Sequence, residues 1–250
     1  MKVVIKKVLP NIKTKNINKE LIKIANEYAK EIFSYKEVIG VAVGGGIVRG
    51  HSDLLSDIDL YIYLKPNVLN KWHRKIENRC PFPHGCHKWK GYEIETEIYD
   101  YNQELKNDWE IEDRWERQYH KVLYDTNNKV KKLLKEKCIW GKNEKKKLFN
   151  QVIFRAGWYL DLPLDFVKRG DFISAHYQIN KSIEWMLECI FMKNGHFYPW
   201  NKWKLHYALL MKKKPVNFDT RIKEGMIIKS FDKKDILRRI KILKKIHEEI

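Results

Sequence analysis

The sequence predicts an α+β fold: an N-terminal mixed-sheet domain over residues 1–125 and a C-terminal helical bundle over 126–250. Three observations predict it. Strand signals are confined to the first hundred or so residues. After residue 104 they give way to apolar spacing of three and four. The chain is 44% hydrophobic and 13% aromatic, enough to bury a sizeable core and too much for a disordered chain. With 250 residues there is room for one large or two small domains, and the boundary is expected between 120 and 145.

The elements follow in order. Leu21, Ile22, Ala25, Tyr28, Ala29, Ile32 and Phe33 recur at helical spacing, so 19–35 reads as a helix with Asn18 able to cap its start. VIGVAVGGG (38–46) is apolar at both parities and predicts a strand buried on two faces, ending in three glycines. DIDLYIYL, within 55–64, is a second strand. YEIETEIY (92–99) is a third, with Tyr92, Ile94, Thr96 and Ile98 on one side and Glu93, Glu95, Glu97 and Tyr99 on the other. A helix near 67–78 and a turn-rich segment, CPFPHGCHKWKG, lie between these last two. Helical periodicity then appears at 105–120, 128–137, 144–168, 171–193, 204–213 and 233–249. Phe172, Ala175, Ile179, Ile183, Met186, Leu187 and Ile190 form a stripe expected to be bundle core.

Composition excludes several classes. No apolar run approaches the roughly 18 residues of a membrane span. The lysine-interrupted start, MKVVIKKVLPNIKTK, has no secretory core, and four cysteines are no disulfide framework, so a cytoplasmic protein is expected. The net charge of +18 raises nucleic acid as a partner, but 40 of the 50 cations are Lys, whereas phosphate and base readers favour Arg. Charge is also uneven: residues 93–116 hold ten carboxylates against only Lys106 and Arg114. Nucleic acid is therefore the less favoured partner. The acidic stretch reads either as a solvated surface or as a wall that attracts a cationic acceptor.

The chemistry lies in VAVGGGIVRGHSDLLSDIDLYIYL (41–64). A buried strand runs into a glycine turn, and Asp57-Ile58-Asp59 opens the next strand. Residues i and i+2 of a strand face the same way, so the two carboxylates project together and repel unless a cation neutralises them. Mg²⁺ bound by carboxylates and substrate phosphates is the usual answer. Glycines let backbone N–H groups approach a phosphate. A glutamate from the strand at 92–99 would complete a three-carboxylate site, the equipment of phosphoryl or nucleotidyl transfer.

At these residues the sequence resembles the nucleotidyltransferase superfamily, of DNA polymerase β-like fold, that includes the kanamycin, streptomycin and lincosamide nucleotidyltransferases. Gly45-Gly46, Asp57-Ile58-Asp59-Leu60 and Ile94-Glu95-Thr96 match its signature in order, with Arg49-Gly50 and Ser52-Asp53 flanking the turn. Val122-Leu123-Tyr124-Asp125, and the stretch from Arg169-Gly170-Asp171 to Trp203, resemble later parts of small antibiotic-type members.

The resemblance implies site roles. Gly45 and Gly46, with Arg49 and Ser56, would bind the nucleotide. Asp57, Asp59 and Glu95 would ligate Mg²⁺. Glu95 or Glu97 would serve as base on the acceptor hydroxyl. Gly46 stands where many members carry Ser, which removes one hydroxyl contact to phosphate. The implied reaction moves a nucleoside monophosphate, AMP from ATP, to a hydroxyl of a small aminoglycoside- or lincosamide-like molecule, and members often place the acceptor between two subunits of a homodimer. The alternatives are nucleotidylation of a protein or RNA, and a catalytically silent nucleotide-binding protein.

Other signals rank lower. Cys80, His84, Cys86 and His87 are soft ligands crowded in one turn, open to zinc but of no known finger spacing. Cys138 and Cys189 are expected in the core. Tyr198, Trp200 and Trp203 read as a turn sealing the bundle, and Asp161, Asp165 and Glu184 as surface carboxylates or acceptor contacts.

Overall fold

Residues 38–43 are apolar at both parities, and the structure accordingly buries every one of them inside a sheet. The computed structural model describes residues 14–50, 52–69 and 81–250. The chain divides into two compact units, Met1–Ile139 and Trp140–Ile250.

The first unit begins with α1 (Asn18–Phe33), β1 (Val38–Val43), the short helix α2 (Gly45–Arg49) and β2 (Ile58–Leu64). It continues with β3 (Gly85–Trp89), β4 (Tyr92–Asp100), α3 (Tyr101–Lys106), α4 (Ile111–Arg117), β5 (Lys121–Asp125) and α5 (Lys129–Lys137). The sheet is mixed, in the order β3-β4-β2-β1-β5, with β2 and β4 parallel and the other pairs antiparallel.

Alternation along β2 and β4 sorts two cores. Ile58, Leu60, Ile62, Leu64, Ile94 and Ile98 meet Leu21, Ala25, Tyr28, Ala29 and Ile32 of α1. Each such side chain, fully enclosed, contributes about 1.5–3 kcal/mol, and Ile62→Ala would cost about 2–5 kcal/mol. On the opposite face Tyr61 and Tyr63 pack with Ile39, Ala42, Trp109, Val130, Leu133 and Leu134. One pleat before Tyr61 on that face stands Asp59, where the apolar surface stops. Because α5 packs on β1 and β5, it belongs to the sheet unit, which ends at Ile139.

Several elements differ from expectation. β3 and β5 carry no strong strand signal because they are edge strands, half-buried at best and short of β-branched residues. The helix expected at 105–120 is instead two, α3 and α4. Asp100 caps the first, accepting from the Asn102 and Gln103 N–H groups. Asn18 lies inside α1 rather than capping it, and its N–H donates to Asn16 Oδ1 at 2.9 Å. The helix near 67–78 shows only its start, at 68–69; the rest lies outside the described residues.

The second unit comprises α6 (Glu144–Asp161), α7 (Pro163–Lys168), α8 (Phe172–Lys193), α9 (Asn201–Leu209), α10 (Phe218–Met226) and α11 (Lys233–Glu249). The helix expected at 144–168 breaks before Pro163, which lacks an N–H and so starts a new helix. Ala175, Ile179, Ile183, Met186, Leu187 and Ile190 are buried as expected, with Phe172 half-buried. α10 was not legible: FDTRIKEGM combines Thr and Gly, both weak helix formers. Gly225 is needed there, since a Cβ would lie 2.6 Å from Leu243 Cδ2. Fully buried Arg239 is satisfied by Gly225 O, His176 Nδ1 and Asn180 Oδ1. Tyr198 is buried while Trp200 is 55% exposed.

Candidate active site

Strand pairing sets residues on or next to each strand in a row across the end of the sheet. Asp59 on β2 pairs with Glu95 on β4, and Glu95 with Cys86 on β3. On the other side the Gly44 N–H donates to the Asp59 carbonyl at 3.0 Å. The Val43–Lys121 pair then brings His120 beside Gly44. Directly paired residues share a face, so Asp59 and Glu95 both point away from α1. One carboxylate oxygen from each of Asp57, Asp59 and Glu95 lies within 4.8 Å of the others.

The glycine turn closes onto this cluster. Gly45 has φ +64°, the left-handed region, and a Cβ there would lie 1.6 Å from Asp59 Oδ2. Only glycine permits both. A Cβ at Gly44 would lie 2.6 Å from Tyr61 Cε2 and 2.7 Å from His120 Nε2. Gly46 follows within α2. The turn therefore rests on the Asp59 carboxylate and on a floor of two rings, Tyr61 and His120, whose centroids are 4.0 Å apart.

The cluster is electrostatically strained. Burial, then Asp57, Glu116 and Glu95, push the Asp59 carboxyl up to about 7, against the opposing pull of Arg49. Burial, then Asp57, Glu97 and Glu116, also raise Glu95 above its ordinary range. Glu95 heads the groups that raise the Cys86 thiol, followed by burial and by Asp57, Glu93 and Asp59. The His120 imidazole is held well below its ordinary range by burial and then by Arg117 and Arg49.

The other residues singled out in the sequence fall into distinct places. Glu97 lies outside the three-carboxylate cluster, with its Oε2 accepting a hydrogen bond from Tyr99 Oη. Arg49 Nη1 stands 3.6 Å from Glu116 Oε1, and the guanidinium lies over the Trp115 ring, 5.1 Å from its centroid. Ser56 shapes the turn before Asp57: its Oγ accepts the Asp53 N–H at 3.0 Å and donates to Asp53 Oδ1 at 3.2 Å. The soft-ligand group is split, since His87 faces Tyr28 of α1 while Cys86 faces Glu95; Cys80 lies outside the described residues. Asp161, Asp165 and Glu184 pair with Lys244, Lys168 and Lys181. Cys189 is buried and Cys138 half-buried. Sequence reasoning missed Glu116 and His120 as neighbours of the site; the acidic stretch was the only hint of the first.

A family model described as the nucleotidyltransferase domain matches residues 22–173. The chain belongs to the nucleotidyltransferase-domain family. Its fold is similar to that of a nucleotidyltransferase-like protein from Exiguobacterium sibiricum, at 10% identity and a TM-score of 0.50, over 93% of this chain and 74% of that one. No curated protein matches the chain by sequence. A nucleotidyltransferase domain carries nucleotidyl transfer as its general activity and a nucleotide as substrate. The divalent cation that such domains generally use fits the residues present. Three carboxylates converge, and the place that a Cβ at residue 45 would fill lies against one of them. Among the described residues no helix is long and apolar enough to cross a membrane.

Proposed function

We propose that this nucleotidyltransferase moves AMP from ATP, with Mg²⁺, to a hydroxyl of a small cationic molecule of the aminoglycoside or lincosamide kind, in the cytoplasm. The observation that carries the proposal is the convergence of Asp57, Asp59 and Glu95 beneath the Gly45 turn. Asp57, Asp59 and Glu95 would hold the cation. Bound there, it supplies positive charge to the triphosphate oxygens and eases departure of pyrophosphate. The N–H groups of Gly45 and Gly46 hold phosphate oxygens. Arg49 supplies a positive charge on the same side, and Ser56 holds the turn that presents Asp57.

In the reaction the acceptor oxygen forms a bond to the α-phosphorus while the bond from that phosphorus to the pyrophosphate oxygen breaks. The hydroxyl proton goes to a carboxylate. Glu97 suits that last role: it is outside the cation cluster, and Tyr99 fixes its orientation. Glu95 is then committed to the cation. The choice of a cationic acceptor follows from charge. With Arg49 set against Glu116, Glu97 remains beside the cluster after a divalent cation is counted, a field that attracts amines and repels polyanions such as RNA.

The test incubates the protein with Mg²⁺, ATP and a panel of aminoglycosides and lincosamides, with adducts followed by mass spectrometry. A nucleotidylated drug that disappears in Asp57→Asn supports the reading. ATP binding without any adduct rejects the antibiotic acceptor, and absence of ATP binding rejects ATP as the donor.

A further inference from the structure

The strands of the sheet unit have a second end, away from the carboxylates. β1 begins there, while β2, β4 and β5 finish there, and the segments beside them enclose a cavity of about 430 Å³. Val38, Ile39 and Pro66 give it an apolar floor. Tyr101 forms a wall, its Oη donating to the Lys129 carbonyl at 3.4 Å. Three cations reach the cavity from three separate segments: Lys36 before β1, Lys65 after β2 and Lys129 at the start of α5. Lys65 follows β2, and the run along that strand from Asp59 is about 20 Å. The cavity is therefore no part of the carboxylate centre.

The positive charge here is uncompensated. Among the described residues no carboxylate lines the cavity, and none of the three ammonium groups forms an ion pair. The acids that end β4 and β5 are spent on backbone N–H groups. Asp100 accepts from Asn67, Asn102 and Gln103, and Asp125 from Val130 and Lys131. Three like charges around one concavity repel one another until an anion enters. Apolar walls with a few convergent polar groups, in a volume of roughly 300–1,000 Å³, are the usual form of a small-molecule site. Lysine carries a compact charge on a flexible stem, so it closes on phosphate or carboxylate without needing the fixed fork of Arg.

We propose that this cavity binds a small organic anion with an apolar or aromatic body. The body lies on Val38, Ile39 and Pro66 beside the Tyr101 ring, and its phosphate or carboxylate groups meet Lys36, Lys65 and Lys129. The apolar floor favours such a molecule over a nucleic-acid backbone, which would leave those three side chains uncovered. No bond is made or broken. The site is separate from the transfer centre, and either stands without the other.

The experiment measures binding by calorimetry to the full-length protein without divalent metal, where the catalytic carboxylates repel anions. The probes are phenyl phosphate, phthalate and inorganic phosphate. One variant combines Lys36→Gln, Lys65→Gln and Lys129→Gln. A second, Asn102→Trp, fills the cavity from an exposed lining position and keeps every charge. The control combines Lys19→Gln, Lys23→Gln and Lys30→Gln on α1, removing the same charge elsewhere in the unit. Losing one charge-assisted contact costs about tenfold or more. The triple lysine variant should therefore bind phenyl phosphate or phthalate at least about 100-fold more weakly, and Asn102→Trp at least about tenfold. The α1 control should stay within about threefold, because distant exposed charges are screened. Whichever of phenyl phosphate and phthalate binds more tightly assigns the anionic group, and inorganic phosphate should bind more weakly than phenyl phosphate. Equal losses in the α1 control would reduce the effect to the net charge of the chain and overturn the proposal. So would native affinity in Asn102→Trp, inorganic phosphate binding as tightly as phenyl phosphate, or no binding of any probe. A single-stranded oligonucleotide that binds through the three lysines when no small anion does would assign the cavity to nucleic acid instead.

Discussion

Gly45 and Asp59 meet through the space that a side chain at residue 45 would occupy: a Cβ there falls 1.6 Å from Asp59 Oδ2. Gly45→Ala must therefore displace the carboxylate, and its left-handed backbone adds about 1–2 kcal/mol of strain. Misplacing a group by about 1 Å in a reacting geometry costs on the order of 100-fold. We expect Gly45→Ala to fold with slightly lower stability and to lose turnover by that factor, together with Mn²⁺ affinity. Gly50→Ala is the control. It shares a left-handed φ of +84° but meets nothing within 4 Å, so it should show the same loss of stability with metal affinity intact. Calorimetry and denaturant melts on both variants check this.

The carboxylate cluster predicts an unusual pH dependence. Asp59 sits at about 7 in the folded chain against 3.8 in the unfolded one. The folded state thus binds this proton more tightly, so the contribution is fully present below the unfolded value and is lost as pH rises through about 7. Glu95 acts in the same direction. Native metal-free protein should lose stability between about pH 6 and pH 8 relative to Asp59→Asn. Mn²⁺ should restore it at the higher pH and bind more weakly as protons compete below about 7. Thermal melts of both proteins at the two pH values, with and without Mn²⁺, decide the matter; parallel pH profiles would refute it.

The parts of this site that were legible in the sequence are those encoded locally. Asp57 and Asp59 are two apart on a strand, Glu95 and Glu97 alternate on another, and the glycines announce the turn. Choosing between Glu95 and Glu97 requires the register of β2 against β4, a pairing between segments far apart in sequence. That register sets Glu95 opposite Asp59 and leaves Glu97 to Tyr99. His120 was hidden for a related reason: it adjoins an edge strand whose residues lack the two apolar faces that mark β1. In sequence the Lys-rich helix α5 reads as a solvated face, yet Val130, Leu133 and Leu134 bury against the sheet.

His120 should act in the opposite sense to Asp59. Its folded value is depressed, so its contribution is present above the ordinary histidine range and is lost as pH falls, because the unfolded chain then takes a proton that the folded chain refuses. His120→Phe keeps a ring against Tyr61 and removes that loss. The expected result is a smaller fall in urea midpoint for the variant than for the native protein between about pH 7.5 and pH 5.5. Equal falls would show that the imidazole takes up its proton in the folded state.

Not every carboxylate in the acidic stretch serves the site, and stability separates those that do not. Glu104 is buried, accepts from Trp109 Nε1 at 2.9 Å, and pairs with Arg117. The Arg117 guanidinium is also 4.6 Å from the Tyr99 ring centroid and 4.3 Å from that of Trp109. Arg117→Ala would strand a buried charge, at a cost of about 3–5 kcal/mol, whereas replacing both partners by apolar groups of similar volume is often close to neutral. Glu95→Gln instead relieves repulsion and should leave the metal-free protein as stable or more so. Denaturant unfolding of Arg117→Ala, Arg117→Met with Glu104→Leu, and Glu95→Gln tests the division. A large loss in Glu95→Gln, or none in Arg117→Ala, would mean that the acidic residues of the site, rather than the Arg117–Glu104 pair, hold this face of the sheet together.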